Sequence, residues 1–105
     1  MRTEKHLQNH IQKQCKMLRI RCYKMQCEGR RGFPDLLLVS KGHTLFIELK
    51  SPAKTGRVSA NQVKILEELH IENQDAFVID NKDSADAIIK AFNDLGPRCR
   101  SLSAI

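Results

Sequence analysis

Two short apolar runs with a polar turn between them stand near the middle of the chain. Residues 36–39 form a continuous apolar run, and residues 44–50 alternate between apolar and other positions. The alternation places three apolar residues on one side of an extended strand: Leu45, Ile47 and Leu49. Residues 40–43, Ser-Lys-Gly-His, have the composition of a turn. The pattern therefore predicts a β-hairpin.

The pairing of this hairpin decides which polar side chains meet. If Val39 pairs with Thr44 across a four-residue loop, antiparallel pairing sets Asp35 opposite Glu48. Directly opposed residues project from the same face with Cβ atoms roughly 5 Å apart. Lys50, two positions beyond Glu48, lies about 7 Å along that face. This register predicts two carboxylates and an ammonium group on one side of the hairpin, whereas a slip of one residue would separate them.

Two carboxylates at this spacing repel each other unless a cation lies between them. Mg²⁺ takes oxygen ligands at about 2.1 Å, usually including one or two carboxylates, and keeps other positions for water or substrate phosphate. Lys50 would face the same phosphate as a point charge. The alternative is a surface ion pair in which Lys50 only neutralises Glu48. The position of Asp35, between Pro34 and an entirely apolar run, favours the metal site.

The start of the chain predicts a helix from Thr3 to about Leu18. Its apolar residues recur at intervals of four, four and three: Leu7, Ile11, Cys15 and Leu18. Extended backwards by three residues, this stripe reaches Glu4. An acid in the first turn complements the helix dipole, but Glu4 could equally point toward the acidic pair of the hairpin.

A strand and a basic loop separate this helix from the hairpin. Residues 20–26 alternate and form the candidate strand, and residues 28–32 form a loop with two glycines. The loop brings Arg30 and Arg31 beside Asp35, where they are candidate phosphate contacts. The alternative is that both arginines are solvated loop side chains.

Beyond Lys50 the chain predicts a second helix, from Ser59 to about His70. Ser59 and Gln62 have the spacing of a capping box, which by itself accounts for both residues. Gln62 also shares a helix face with Leu66 and Leu69, so its amide is a candidate to point toward the site.

A short strand over residues 76–80 and a last helix, capped by Ser84 and running to about Phe92, complete the pattern. The order α-β-β-β-α-β-α predicts an α/β fold with a mixed four-stranded sheet flanked by helices. The crossover helix predicts that the third and fourth strands are parallel. We expect one domain over residues 1–95, followed by a basic tail over residues 96–105.

Positive charge is concentrated in the part of the chain that holds the hairpin. Residues 1–64 contain fourteen of the 18 Lys and Arg but four of the 12 Asp and Glu, a local charge of +10 within a total of +6. Such a field attracts nucleic acid, with binding that weakens as salt rises. A lysine-rich surface can also serve solubility alone, and aromatic interleaving for base stacking is absent, with one Tyr and no Trp.

The cysteines and the N-terminus indicate the compartment. The four cysteines follow neither a CxxC nor a common zinc spacing, so we expect them to be reduced: Cys15, Cys22, Cys27 and Cys99. A zinc site formed by His6, His10 and a cysteine is the alternative. Because there is neither a hydrophobic signal core nor a membrane-spanning apolar run, we expect a cytoplasmic protein without membrane contact.

Taken in order, these residues resemble the PD-(D/E)XK nuclease superfamily and, within it, the VRR-NUC nucleases. The resemblance covers nearly all of residues 3–92. Its parts are an acid in the first helix, a basic glycine loop, a Pro-Asp pair, a Glu-Leu-Lys motif thirteen residues after the aspartate, and a Ser and a Gln opening the next helix: Glu4, residues 28–32, Pro34-Asp35, Glu48-Leu49-Lys50, Ser59 and Gln62.

The resemblance implies a restriction endonuclease-like core and metal-dependent hydrolysis of phosphodiester bonds in DNA. Mg²⁺ or Mn²⁺ would be held by Asp35, Glu48 and the Leu49 carbonyl, with Glu4 completing or orienting the site. Lys50 would position the attacking water or help to deprotonate it, and would stabilise charge on the phosphate. Gln62 would hold that water or the lysine.

Small stand-alone members of this family resemble Holliday-junction resolvases and act as homodimers on branched DNA, and we extend this to the chain as a hypothesis. We expect five basic residues to contact the nucleic acid: Arg30, Arg31, Lys54, Arg57 and Lys64. The competing hypothesis is a catalytically idle nucleic-acid-binding module or nuclease-associated subunit on the same fold. Sequence-specific cleavage of the restriction type needs a recognition segment, for which 105 residues leave little room.

Overall fold

The computed structural model describes residues 4–51 and 58–97. The predictions made for Thr3, Lys54, Arg57 and the tail beyond residue 97 lie outside these ranges. Within them, no helix is both long and apolar enough to cross a membrane.

The predicted order of helices and strands is confirmed. The chain forms α1 (Glu4–Leu18), β1 (Arg21–Lys24), β2 (Leu36–Ser40), β3 (His43–Leu49), α2 (Ala60–Ile71), β4 (Asp75–Ile79) and α3 (Lys82–Asn93). The four strands form one sheet in the order β1-β2-β3-β4. β1, β2 and β3 are antiparallel neighbours, whereas β3 and β4 are parallel, as a helical crossover requires. The α/β fold is therefore the predicted one.

The hairpin of β2 and β3 has the predicted register and a shorter loop. Val39 pairs with Thr44, and Ser40 also pairs with His43, so the loop consists of residues 41 and 42. Both loop residues have positive φ, 54° at Lys41 and 83° at Gly42, as a type I′ turn requires. Because the loop is shorter by one residue at each end, the predicted pairs of β2 with β3 stay the same. The slip of one residue that would have separated the acids does not occur.

One face of the sheet packs against α1 and α3. Alternate strand residues on this face are almost fully buried: Leu36, Leu38, Leu45, Ile47, Leu49 and Ile79. They form one cluster with residues of the two helices: Leu7, Ile11, Cys15, Ala85, Ile89 and Phe92. A hydrogen bond between His10 Nε2 and Asp86 Oδ1, 2.7 Å long, also joins α1 to α3. We call this side of the sheet the core face.

The other face of the sheet packs against α2, and we call it the α2 face. Its strand residues are less completely covered: Leu37, Val39 and Phe46 are half-buried, and Val78 is 40% exposed. Ile65 is the buried residue of α2. Because side chains alternate along a strand, Asp35 and Glu48 belong to this face.

Two local predictions are wrong. Leu18 is 38% exposed and does not continue the buried stripe, because α1 ends there and Arg19 adopts a positive φ of 59°. The N-cap of α3 is Asn81, whose side-chain oxygen accepts the Ser84 amide N–H at 2.7 Å. Ser84 instead lies in the first turn of α3, because Asn81 provides an equally good cap three residues earlier.

Candidate active site

Asp35 is held at the start of β2 by the backbone of the neighbouring strand. The pairing of Leu36 with Ile47, continued by one residue, sets Asp35 opposite Glu48. The Leu49 amide N–H donates to Asp35 Oδ2 at 2.8 Å. A hydrogen bond from a fixed backbone amide orients the half-buried carboxylate and leaves its second oxygen for another partner.

Glu48 is the buried acid of the site, with 2% of its surface exposed. Its Oε2 accepts from Gln62 Nε2 at 2.8 Å and lies 3.5 Å from the Lys50 ammonium. Its Oε1 is buried, and no donor among the described residues reaches it. The pKa of Glu48 is raised to about 7, mainly because the carboxyl is buried and also because of the nearby Asp35 charge, while the Lys50 charge opposes both.

Gln62 joins the site to the beginning of α2. Its Oε1 accepts from Lys50 Nζ at 2.8 Å and from the Ser59 amide at 2.9 Å, while its Nε2 donates to Glu48. The Gln62 amide N–H in turn donates to Ser59 Oγ at 3.2 Å, which completes the predicted capping box. One side chain thus closes the cap of α2 and also contacts Lys50 and Glu48.

The basic glycine loop packs against the first turn of α2. Gly32 has a φ of +90°, and a Cβ at this position would lie 2.6 Å from the backbone carbon of Asn61. Arg30 Nη2 donates to both carboxylate oxygens of Glu68 in α2 at 3.1 Å. The loop is therefore attached to α2 at two points, and the pair of Arg30 with Glu68 lies on the exposed surface.

The other predicted site residues are more dispersed. Glu4 is exposed in the first turn of α1, and within residues 4–51 and 58–97 no group of three His, Cys, Asp or Glu side chains gathers that could hold a metal ion. Glu4 therefore does not join Asp35 and Glu48, and the histidine–cysteine zinc site does not form in this part of the chain. Arg31 and Lys64 are exposed.

The carboxylate pair fits a hard divalent cation. Mg²⁺ and Mn²⁺ prefer oxygen donors, and Mg²⁺ commonly takes only one or two carboxylates with water and phosphate in the remaining positions. Glu48 Oε1 is buried and has no hydrogen-bond partner among the described residues, so that ionising this carboxyl is costly unless a cation compensates it. The Leu49 carbonyl belongs to the residue whose amide orients Asp35, and its place among the ligands stays a prediction.

Sequence reasoning missed the contacts that connect distant segments. The hydrogen bond from the Leu49 amide to Asp35 could have been found from the hairpin register, since Leu49 follows Glu48 directly. The close approach of Gly32 to Asn61 and the Arg30–Glu68 pair join the loop to α2, and no local pattern signals either of them.

Comparison with known proteins identifies the fold and the family of the chain. The family model described as "VRR-NUC domain" matches residues 2–83. A solved structure described as "VRR_NUC domain" is similar, with a TM-score of 0.77 and 23% sequence identity over 88% of this chain and 99% of that chain. At this identity the structural match supports the fold alone. No curated protein matches the chain.

Proposed function

Because this chain belongs to the VRR-NUC domain family, a family of nuclease domains, we propose that it is a metal-dependent DNA endonuclease that hydrolyses phosphodiester bonds. The observation that carries the proposal is the buried Glu48 carboxylate, with one oxygen unpaired and Asp35 opposite it. Only 3% of the Glu48 side chain is exposed. An ordinary surface ion pair between Lys50 and Glu48 would instead leave both charged groups in water.

Each residue of the site has a distinct role in this proposal. Asp35 and Glu48 hold Mg²⁺ or Mn²⁺, with the Leu49 carbonyl as a further ligand. When bound, the ion would supply Lewis-acid chemistry toward the phosphate and would make a nearby water more acidic. Lys50, kept in place by Gln62 Oε1, orients the attacking water and stabilises negative charge that develops on the phosphate. Gln62 fixes Lys50 and Glu48 relative to each other.

The substrate and the assembly are part of the proposal. The basic N-terminal half supports a nucleic-acid partner, and exposed Arg31 and Lys64 are the described cations that we assign to phosphate contacts, with Lys54 and Arg57 beyond the described residues. Glu4 would orient the site only if the bound DNA or metal brings it closer. Branched DNA cut by a homodimer is the specific form that we propose.

Cleavage assays test the reaction. Purified protein is incubated with four-way junction, flap and linear DNA in Mg²⁺, Mn²⁺ or EDTA, and we expect cleavage only with metal and preferentially of branched substrates. Asp35→Asn and Lys50→Ala should abolish it, whereas Lys90→Ala, which removes an exposed ion pair to Asp94 on α3, should not. Cleavage that survives both site substitutions would refute the proposal. Metal-independent binding without cleavage would instead favour the idle module, and mass in solution with and without the junction tests the dimer.

A further inference from the structure

The α2 face of the sheet is open at its β1 end. α2 packs on β4, at the opposite edge of the sheet. On β1, Arg21 and Tyr23 are exposed, Tyr23 by 48%, although Tyr23 is the one tyrosine of the chain. A large aromatic side chain with about half of its surface exposed near the candidate site is available to a ligand.

The strand register puts Tyr23 on the same face as the acidic pair. Tyr23 pairs with Leu37, and Leu37 pairs with Phe46, so these three side chains lie in one row across the sheet. Asp35 lies two residues before Leu37 on the same face, and is thus a diagonal neighbour of Tyr23 at roughly 7–8 Å. The Met25 amide also donates to the Asp35 carbonyl at 2.8 Å, which continues the pairing of the two segments up to the site.

Charge on this edge selects the kind of partner. Arg21 lies two residues before Tyr23 and therefore on the same face, and Lys24 is exposed on the same strand. An edge strand that carries positive charges repels a second copy of itself and resists pairing with it. The same cations attract a polyanion. An exposed aromatic ring beside a cation on the same face of a strand is an arrangement that proteins use to bind single-stranded nucleic acid.

We propose that Tyr23 and Arg21 form a subsite for an unpaired nucleotide next to the scissile phosphate, with Tyr23 stacked on the base and Arg21 bound to the backbone phosphate. The subsite rests on the proposed nuclease function and specifies its substrate, namely DNA that is single-stranded or frayed beside the cut. Fully paired DNA would keep its bases stacked within the duplex and leave Tyr23 without a partner.

Tyrosine fluorescence gives a direct readout of this contact. Because the chain has one Tyr and no Trp, its emission reports on residue 23 alone. The protein is titrated in EDTA at low salt with an oligothymidylate and with an abasic oligonucleotide of equal length, using free tyrosinamide to correct for absorption by the DNA. We expect saturable quenching by the oligothymidylate and little quenching by the abasic strand, which offers phosphates without bases.

Three substitutions separate stacking from structural effects. Tyr23→Ala should weaken binding of a labelled oligothymidylate by roughly 5- to 100-fold, the range that one base–aromatic stack supports, whereas Tyr23→Phe should keep it within about 3-fold. Phe77→Ala is the matched control, because Phe77 is 45% exposed on the other edge strand and belongs to the core face. It should leave the affinity unchanged. Thermal unfolding of each variant verifies that it is folded.

The outcomes distinguish the subsite from the nuclease proposal. Oligothymidylate binding without a change in tyrosine emission, or equal loss of affinity in Tyr23→Ala and Phe77→Ala, overturns the subsite while metal-dependent cleavage remains. Quenching and a selective Tyr23→Ala effect without cleavage under any metal support the subsite and refute the nuclease proposal. If neither DNA binding nor cleavage occurs, both are refuted.

Discussion

The two faces of the sheet are built from alternate residues of the same strands, yet they are sealed to different degrees. On the core face, Ile47 and Leu49 are covered by α1 and α3 and have 0% and 3% of their surface exposed. Between them on the α2 face lies Glu48, an acid that is equally buried but lacks a partner for one oxygen. The neighbouring residues Leu37 and Phe46 on this face are only half-buried.

This difference divides the work of the fold between the two sides of the sheet. Apolar burial on the core face stabilises the fold and tolerates no polar group. The α2 face holds charged groups close together and accessible to a substrate, and this arrangement lowers the stability of the fold. The four predictions below test this division, from the largest expected effect to the smallest.

Removing either charge of the acidic pair should cause the largest loss of activity while leaving the protein folded. Asp35→Asn and Glu48→Gln should each lower kcat for metal-dependent cleavage by roughly a thousandfold or more, since several kcal/mol of transition-state stabilisation are lost. Circular dichroism and urea unfolding should show a folded protein in both cases. A large loss of stability with either substitution would contradict the division, because the α2 face would then be structurally essential.

Two adjacent leucines give a matched test of packing. Leu38→Ala, on the core face with 0% exposure, should lower the free energy of unfolding by about 2–5 kcal/mol, because it removes buried apolar contacts from the core cluster and leaves a cavity there. Leu37→Ala, on the half-buried α2 face, should cost clearly less. Urea denaturation at one pH measures both. Equal costs for the two substitutions would show that both faces are packed alike.

The pH dependence of stability should reveal the Glu48 carboxyl. Its pKa is about 7 in the folded chain against an ordinary 4.5, so the folded protein binds the proton more tightly. Without metal, the contribution of Glu48 to stability should be greatest below pH 4.5, fall as pH rises and level off above pH 7, with a total loss of up to about 3 kcal/mol. The test is the difference between wild type and Glu48→Gln in EDTA at pH 5 and pH 8. Parallel curves for the two proteins would rule out a strained carboxylate.

The two helix caps offer the smallest and most selective test. Ser59→Ala and Asn81→Ala each remove an N-cap side chain and should each cost about 1 kcal/mol of stability. Only Ser59→Ala should also lower cleavage, because Ser59 holds the turn from which Gln62 reaches Lys50. Unfolding curves and cleavage rates of the two variants, measured side by side, decide this. An equal effect of both on cleavage would reduce the role of the Ser59 cap to general stability.

The hairpin and its acidic pair could be predicted because their geometry depends on local rules. A loop that is shortened by the same number of residues at each end still sets Asp35 opposite Glu48. The predicted register was therefore correct although the predicted loop was too long. Glu4 was less predictable, since helical periodicity gives the face of α1 but not the distance from its end to the sheet. The pair of Arg30 with Glu68 was not predictable, because the two residues are 38 positions apart and only the folded chain brings them together, whereas the phosphate contact of Arg30 stays a prediction.

The hydrogen bonds of Gln62 couple the opening of the first turn of α2 to the position of Lys50 in the site. The side chain that closes the first turn of α2 is also the one that restrains the lysine, so the turn cannot open without releasing Lys50 Nζ. Brief fraying of this helix end would leave the rest of the fold intact but would release Lys50 from its position in the site. Hydrogen exchange at the Gln62 and Val63 amides should therefore slow when a divalent ion binds, and would report how long the active arrangement lasts.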